Sequence, residues 1–244
     1  TGMVVDVQNG EVFALSTWPS FNSNNLNEMT GENQRNRALL DVFEPGSVMK
    51  PFTVAAALAS EKYTAISMIN TSPGSIRVQG YTIRDHNNLC TINIATLLQK
   101  SSNVASTKIA LSLPPDAITN MQHKFGFGSK TPLQFPGEGA GLVTTPLEKE
   151  YSRRATVSYG YGLQVTLAQV AQAYAALASG GIMHPLTLTK TDKPLPSKRI
   201  MEHDQAMAIV EMLEAVTLPG GTAKAADIDG YRVAGKTGTS RRIN

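Results

Sequence analysis

Cysteine and histidine are scarce in this sequence of 244 residues. The one cysteine, Cys90, excludes a disulfide within the chain and any Cys-x-x-Cys metal site, but it leaves the cellular compartment open. The histidines are too widely separated to form a ligand pair at helical spacing: His86, His123, His184 and His203. We therefore expect neither a bound metal nor any other cofactor.

Long apolar runs and strong charge are missing as well. No stretch approaches the roughly 20 apolar residues of a membrane-spanning helix, and no signal peptide is present. Thr1 stands so close to a strand-like segment that we expect the chain to begin inside a domain. The net charge of +3 is too small to indicate nucleic-acid binding. The pairs Arg153-Arg154 and Arg241-Arg242 lack interleaved aromatic residues, so we interpret them as solvated surface.

What is present is the composition of a folded globular protein, with 41% hydrophobic and 17% charged residues. Asn9-Gly10 between two β-branched and aromatic segments predicts a hairpin over residues 3–15. Apolar periodicity predicts helices over 52–59, 91–98, 104–113, 117–125, 170–178 and 204–216, and strands over 186–189 and 231–239. Thr166-x-x-Gln169 has the form of a capping box that opens the helix over 170–178. Strands, a large helical block and a final strand indicate an α+β fold with two lobes.

The first candidate site lies in the segment Glu44-Pro45-Gly46-Ser47-Val48-Met49-Lys50-Pro51. A Pro-Gly turn opens it and an apolar run follows, so Ser47 falls at the start of a buried helix. Positions i and i+3 share a helix face, which places the Ser47 hydroxyl beside the Lys50 amine. We interpret Ser47 as a nucleophile that Lys50 activates. Taken alone, Ser47 would be a plain helix N-cap.

Two further motifs follow in the chain, Ser101-x-Asn103 and Lys236-Thr237-Gly238. Each is weak by itself, because the first could be a helix-breaking turn and the second an ordinary edge strand. The set is informative, since Ser-x-x-Lys, Ser-x-Asn and Lys-Thr-Gly occur in this order at wide spacing. Penicillin-binding proteins and class A β-lactamases use such a trio.

With these motifs, the chain resembles the transpeptidase domain of class B penicillin-binding proteins of the division type. The likeness covers essentially residues 1–244. Beyond the trio it rests on Arg35-Asn36-Arg37, Phe43-Glu44-Pro45-Gly46-Ser47, Gln99-Lys100-Ser101-Ser102-Asn103-Val104, Phe125-Gly126-Phe127-Gly128 and Ser158-Tyr159-Gly160-Tyr161-Gly162. We interpret the last of these motifs as a structural loop near the cleft.

The resemblance implies a serine D,D-transpeptidase that cross-links peptidoglycan stem peptides at the septum and is inhibited covalently by β-lactams. In that chemistry a neutral Lys50 takes the proton of Ser47, which attacks the carbonyl of the penultimate D-Ala. Lys50 then needs a pKa below about 10.4, through burial and a nearby positive charge such as Lys236. Ser101 relays a proton to the departing D-Ala amine, and the amine of a second stem peptide resolves the acyl-enzyme.

The resemblance also assigns the groups that hold the substrate. The implied binding set is Asn103, Lys236, Thr237, Gly238 and Thr239. Within it, Gly238 leaves the strand edge bare, so that the stem peptide, ending in D-Ala-D-Ala, can lie along it as an added strand. The backbone N–H groups of Ser47 and Thr239 form the implied oxyanion hole, in which each donor is worth roughly 3–4 kcal/mol.

Two other functions share the trio. A serine β-lactamase needs a base that activates water against the acyl-enzyme. Glu138, Glu148 and Glu150 lie in the relevant region, but none belongs to a Glu-x-x-x-Asn motif, and Asn103 departs from the Ser-x-Val of class D enzymes. The third alternative is a non-catalytic β-lactam sensor of the same fold.

The implied fold is the two-lobe penicillin-binding-protein and serine β-lactamase fold, an antiparallel sheet packed by helices plus an all-helical lobe. In this chain the helical lobe corresponds to roughly residues 52–220. The family sheet places two strands after the Lys-Thr-Gly strand, so we expect the full protein to continue beyond Asn244. We also expect an N-terminal anchor in the inner membrane, a catalytic domain on the periplasmic side, and division partners that include a septal glycan polymerase.

Overall fold

The computed structural model describes residues 1–190, 192–193 and 195–242. The helices are α1 (Arg37–Leu40), α2 (Lys50–Ala59), α3 (Ile94–Lys100), α4 (Asn103–Ser112), α5 (Ala117–Lys124), α6 (Tyr151–Ser158), α7 (Leu167–Ala178) and α8 (His203–Thr217). The strands are β1 (Gly2–Val5), β2 (Val12–Ser16), β3 (Phe43–Glu44), β4 (Met68–Asn70), β5 (Ser75–Val78), β6 (Tyr81–Arg84), β7 (Thr91–Asn93), β8 (Ile182–Met183), β9 (Lys198–Arg199) and β10 (Arg241–Arg242). Short 3₁₀ turns cover Leu26–Glu28, Gly46–Met49 and Lys224–Ala226.

The strands pair antiparallel in twos: β1 with β2, β3 with β10, β4 with β7, β5 with β6 and β8 with β9. The hairpin predicted around Asn9-Gly10 is confirmed as β1–β2, in which Met3 faces Leu15. The apolar side of this hairpin packs on Leu39, Ala168 and Leu186. An α+β fold is therefore present, as the sequence predicts.

The centre of the protein is α2, whose residues from Lys50 to Leu58 are all buried. A helix that is apolar all round has to be enclosed by other elements, and α2 packs against α4, α5 and α8. The Phe52 ring lies 4.9 Å from the rings of Phe125 and Phe127 and 5.6 Å from that of Tyr174. The turn that precedes α2 therefore continues directly into a closely packed helix.

Helix α7 begins at Leu167, directly after the predicted capping residue Thr166 and three residues before the predicted stretch 170–178. The Thr166 side chain accepts a hydrogen bond from Gln169 N, and the Gln169 side chain returns one to Thr166 N, which completes the capping box. Helix α8 also confirms its prediction. The predicted helix over 91–98 is wrong at its start, where β7 occupies Thr91–Asn93 and Asn93 caps α3 by accepting from Thr96 N.

The two later strand predictions are wrong. Within residues 186–189, one bridge, between Thr187 and Glu11, replaces the expected strand. Residues 231–239 form no strand, and single hydrogen bonds tie their backbone to α8, from Gly235 N to the Leu213 carbonyl at 3.2 Å and from Thr217 Oγ1 to the Val233 carbonyl at 2.6 Å. Regular pairing begins only at β10, which lies against β3.

One arginine pair is not the solvated surface that we expected. Arg154 is 7% exposed, and its guanidinium donates to the carbonyls of Leu113 (2.7 Å) and Glu148 (3.0 Å). A cation at the last carbonyls of α4 is favourable, so Arg154 ties α6 to the end of that helix. Arg241 is exposed, as expected, and the side chain of Arg242 lies outside the described part.

Within the described residues, no helix combines the length and hydrophobicity that a membrane crossing requires. The boundary of a helical lobe over residues 52–220 stays a prediction.

Candidate active site

Ser47 lies in the 3₁₀ turn Gly46–Met49, which runs directly into α2. The turn is tied at both ends, because Lys50 N donates to the Ser47 carbonyl and Gly46 N donates to the Gly160 carbonyl at 2.9 Å. The Tyr174 hydroxyl holds its middle by donating to the Val48 carbonyl at 2.8 Å. Among the described residues, Ser47 Oγ makes no hydrogen bond, so the hydroxyl is not engaged as an N-cap.

The Lys50 ammonium is fully enclosed, with none of the side chain exposed. Its Nζ donates to Ser101 O at 2.6 Å, Asn103 Oδ1 at 2.8 Å and Ser101 Oγ at 3.0 Å. A lysine ammonium has three N–H donors, and each finds an acceptor here. The Ser101-x-Asn103 motif is therefore in direct contact with the Ser47-x-x-Lys50 motif.

The junction of α3 and α4 explains how this contact is built. Ser101 ends α3 in the left-handed conformation, with a φ of 58°, so its carbonyl and its hydroxyl both turn toward Lys50. Ser102 then caps α4 by accepting from Ala105 N at 2.9 Å. Only Ser101 and Ser102 separate the two helices, so the chain turns sharply between Lys100 and Asn103.

Lys236 reaches the same hydroxyl from the opposite side. Its Nζ donates to Ser101 Oγ at 3.0 Å, and it also contacts the Thr237 carbonyl at 3.1 Å and Thr237 Oγ1 at 3.3 Å. Ser101 Oγ thus stands between the amines of Lys50 and Lys236. The three motifs, which are far apart in the chain, converge on one oxygen atom.

Burial and charge set the proton affinity of the two lysines. Removal from water lowers the pKa of Lys50 well below its usual value, and the positive charge of Lys236 lowers it further. The carboxylate of Asp85 opposes this shift. Burial also lowers the pKa of Lys236, to about 8. The lysine expected to act as a base is the one whose charged form is the more strongly disfavoured.

The segment that carries Gly238 lies against the Ser47 turn. A Cβ at Gly238 would stand 2.7 Å from Val48 Cγ1 and 3.1 Å from the Pro45 carbonyl oxygen, so the close approach requires glycine. The Thr239 carbonyl accepts from the Tyr161 hydroxyl at 3.0 Å, and Thr237 Oγ1 lies 2.9 Å from Thr222 Oγ1. These contacts bring the residues of the third motif to the site, while the oxyanion hole of Ser47 N and Thr239 N stays a prediction.

The loop Ser158–Gly162 joins the nucleophile turn to the third motif. The Ser158 carbonyl accepts from Thr53 Oγ1 at 2.7 Å, and a Glu44 carboxylate oxygen accepts from Gly162 N at 2.7 Å. Together with the bonds of Gly160 and Tyr161 described above, these contacts agree with a structural role beside the cleft. A cavity of about 630 Å³ opens along this loop and is bordered by Tyr159, Tyr161, Arg241 and Asn103, among others.

Gly160→Ala is expected to destabilise the fold and to slow any reaction at Ser47. Gly160 has a φ of 88°, and a Cβ there would overlap the Gly46 carbonyl, so the loop has to move away from the nucleophile turn. A left-handed φ alone costs a non-glycine residue roughly 1–2 kcal/mol. Gly162→Ala is the matched control, since Gly162 has a φ of 75° but its Cβ would meet nothing closer than 3.7 Å. Thermal unfolding of both variants measures the difference, and equal losses would contradict the role of the close approach.

Asp85 is the site residue that the sequence analysis missed. It accepts hydrogen bonds from Ser102 Oγ, Asn103 N and Val104 N, and so joins the Ser101–Asn103 turn without belonging to any of the three motifs. The sequence gives no local signal for it, because Asp85 stands in a polar, turn-rich segment 17 positions or more from its partners.

No group of three or more metal-ligating side chains is present in the described part of the chain.

Comparison with known proteins identifies the class that this fold and site define. The family model described as "Penicillin binding protein transpeptidase domain" matches residues 1–244. The chain belongs to that family. Its expected resemblance to penicillin-binding proteins is thus confirmed.

Individual members of the family are similar to this chain over nearly its whole length. The chain is 42% identical over 245 residues to the peptidoglycan D,D-transpeptidase FtsI of Escherichia coli K12, covering all of this chain and 41% of the relative. It is 36% identical over 241 residues to the probable peptidoglycan D,D-transpeptidase PenA of Neisseria flavescens, covering 99% of this chain and 60% of that one. This sequence therefore spans 41% of the length of the first relative and 60% of the length of the second.

A solved structure shows the same fold. The apo transpeptidase domain of penicillin-binding protein 3 from Burkholderia pseudomallei superposes with a TM-score of 0.85 at 40% identity, over 97% of this chain and 67% of that one. A structure described as a peptidoglycan glycosyltransferase from Burkholderia ambifaria superposes with a TM-score of 0.87 at 40% identity, over 98% and 72% of the two chains. The two-lobe family fold that we expected is confirmed.

Proposed function

We propose that this chain is the catalytic part of a serine D,D-transpeptidase that cross-links peptidoglycan stem peptides during septum synthesis. The observation that carries the proposal is the convergence of Lys50 and Lys236 on Ser101 Oγ, at 3.0 Å each, next to the turn of Ser47. The relatives named as D,D-transpeptidases support the same reaction.

Acylation begins with the transfer of the Ser47 proton to a neutral Lys50. The lowered pKa of Lys50 supports this role, because an amine with the usual value is almost wholly protonated near neutral pH. Ser47 Oγ then attacks the carbonyl carbon of the penultimate D-Ala and forms a tetrahedral intermediate. The oxyanion accepts hydrogen bonds from Ser47 N and Thr239 N. When the C–N bond breaks, Ser101 delivers a proton to the amine of the terminal D-Ala and is reprotonated from Lys50.

Substrate binding uses the other side of the cleft. Lys236, Thr237 and Thr239 hold the terminal carboxylate, since an ammonium and two hydroxyls provide charge-assisted hydrogen bonds. Asn103 binds the peptide backbone through its amide, whose Oδ1 also orients Lys50. The amine of a second stem peptide then attacks the ester of Ser47 and completes the cross-link.

Two alternatives have less support. A hydrolase needs a carboxylate that activates water near the ester, but Glu138 accepts from Thr131 N and Glu150 from Leu147 N, both away from Lys50. In the described part of the chain, neither these glutamates nor Glu148 hydrogen-bonds to a residue of the three motifs. A sensor domain would share the acylation step and lack the cross-linking step.

A labelling time course separates these functions. A transpeptidase is expected to bind fluorescent penicillin covalently and to keep the label for hours, because among the described residues none of Glu138, Glu148 and Glu150 hydrogen-bonds to the three motifs, where a base would have to activate water. Loss of label within minutes would indicate a β-lactamase and contradict the proposal. Stable labelling without cross-linking of purified lipid-linked substrate would indicate a sensor instead.

The cellular setting follows from the same proposal. The catalytic domain acts on the periplasmic side of the inner membrane, held there by an N-terminal anchor. Its partners are the stem peptide ending in D-Ala-D-Ala, β-lactam antibiotics and division proteins that include a septal glycan polymerase.

The rate of acylation is expected to fall above about pH 8. Lys236 has to be protonated to attract the carboxylate, and its pKa in the free protein is lowered to about 8. At low pH the rate falls as well, because Lys50 becomes protonated and the neutral amine is lost. The second-order rate constant for penicillin acylation therefore has a bell-shaped dependence on pH. Lys236→Arg keeps the charge at high pH and is expected to remove the alkaline limb. An unchanged alkaline limb in that variant would contradict the assignment.

A further inference from the structure

A carboxylate outside the three motifs holds the junction between α3 and α4. Asp85, directly after β6, accepts hydrogen bonds from Ser102 Oγ at 2.6 Å, Asn103 N at 2.6 Å and Val104 N at 3.0 Å. The two amides belong to the first turn of α4, where backbone N–H groups have no partner within the helix and the dipole favours negative charge. Asp85 therefore fixes the start of α4, and with it the turn that presents Ser101.

We propose that Asp85 is a positioning residue for acyl transfer, which holds Ser101 and Asn103 in the geometry that lets both reach Lys50. This inference rests on the proposed transpeptidase function. It adds a residue to the site, through contacts that join the hairpin β5–β6 to the turn of Ser101.

The hairpin is itself well placed to act as a support. Asp85 N donates to the Gly74 carbonyl at 2.9 Å, which ties the end of β6 back to the start of β5. The carbonyl of Arg84 accepts from Asn103 Nδ2 at 3.2 Å, so the same strand end also orients the Asn103 amide. With Nδ2 engaged there, Oδ1 is left to accept from Lys50 at 2.8 Å. The hairpin, the turn and the lysine thus form one continuous set of contacts.

Charge gives Asp85 a second effect on the same lysine. Two charged groups act on Lys50: Lys236 from the third motif lowers its pKa, while Asp85 at the end of β6 raises it. The neutral groups that face it, Ser101 and Asn103, supply acceptors. Removing the negative charge at position 85 therefore makes neutral Lys50 available at lower pH.

The test uses two variants of Asp85 in the whole chain. Asp85→Asn removes the charge but keeps an oxygen for the two amides and an N–H for Ser102 Oγ. Asp85→Ala removes all three hydrogen bonds. Asp116→Asn is the control, because Asp116 also stands at the start of a helix, α5, but its carboxylate caps no backbone N–H there and accepts from Asn120 Nδ2 at 2.9 Å. The measurement is the second-order rate constant for acylation by fluorescent penicillin across pH, with thermal unfolding of each variant.

Asp85→Asn is expected to keep its plateau rate close to wild type and to shift the acid limb to lower pH. Asp85→Ala is expected to lose roughly tenfold to hundredfold in the plateau rate, as misplaced catalytic groups do. A plateau of Asp85→Ala at the wild-type level, or an acid limb of Asp85→Asn that does not move, would overturn the role of Asp85. If Asp85→Ala fails to unfold cooperatively, the position of the acid limb in the pH profile of Asp85→Asn decides whether Asp85 has the proposed role. A wild-type chain that does not label at all overturns the proposed function, whereas a labelled wild type with unaffected variants overturns only this inference.

Discussion

Ser47→Ala is expected to abolish covalent labelling by fluorescent penicillin. The Ser47 hydroxyl lies at the start of the central helix α2 and makes no hydrogen bond to a described residue, so it is free to attack. Alanine removes the only atom that can form the ester. The surrounding turn is held by backbone bonds from Gly46 to Gly160 and by Tyr174, none of which involves the hydroxyl. Unfolding should therefore be nearly unchanged, while labelling falls below detection.

Ser60→Ala is the matched control for this variant. Ser60 ends the same helix, and its hydroxyl donates to the Ala57 carbonyl at the opposite end of α2. It should label at the wild-type rate. The measurement is in-gel fluorescence after incubation with the penicillin, followed by mass analysis of the labelled peptide. Label retained by Ser47→Ala, or found on a different serine, would contradict the assignment of the nucleophile.

The local structure that the sequence predicts correctly is set by short-range patterns. The Pro-Gly turn before an apolar run placed Ser47 and Lys50 at the start of α2, because burial of an all-apolar helix leaves few alternatives. The capping box at Thr166 predicted the start of α7 for a similarly local reason. In both cases the residues that decide the structure are within four positions of each other.

The contacts between motifs could not be predicted from spacing. Ser101 meets Lys236 only because the left-handed turn at the end of α3 directs its hydroxyl across the cleft, and no pattern near residue 101 specifies that direction. The resemblance to a known family brought the motifs together instead. Asp85 shows the limit of that approach, since it belongs to no motif. Its hairpin β5–β6 was missed although apolar residues alternate with polar ones on both sides of Gln79-Gly80.

The placement of the two lysines lowers the stability of the fold and at the same time supports catalysis. Two amines approach one hydroxyl, and Lys50 is removed from water without a carboxylate in direct contact. Burial of an unpaired charge is costly, and the usual response is a shift toward the neutral form. The same neutral amine is the base that Ser47 requires. The electrostatic strain at Lys50 is thus what makes it reactive.

Lys50→Met is expected to reduce the acylation rate by a factor of roughly 10² to 10⁴, the usual contribution of a positioned general base. Methionine matches the length of the lysine stem and suits the buried setting, but it cannot accept the Ser47 proton. Lys50→Arg adds a sharper comparison. Arginine keeps a positive charge near Ser101 and Asn103 but cannot be deprotonated in a protein, so it should be as slow as methionine.

Lys62→Met is the matched control, since Lys62 also donates from Nζ to a single backbone carbonyl, that of Ser112 at 2.8 Å, on an exposed part of the helical block. It should acylate at the wild-type rate. Samples quenched at successive times of labelling give the acylation rate constants. Circular dichroism during heating verifies that each variant is folded. If Lys50→Arg labels as fast as wild type, Lys50 acts through its charge and not as the base. The proton of Ser47 then has to go to another group, and Lys236, with a pKa lowered to about 8, is the next amine in reach of Ser101.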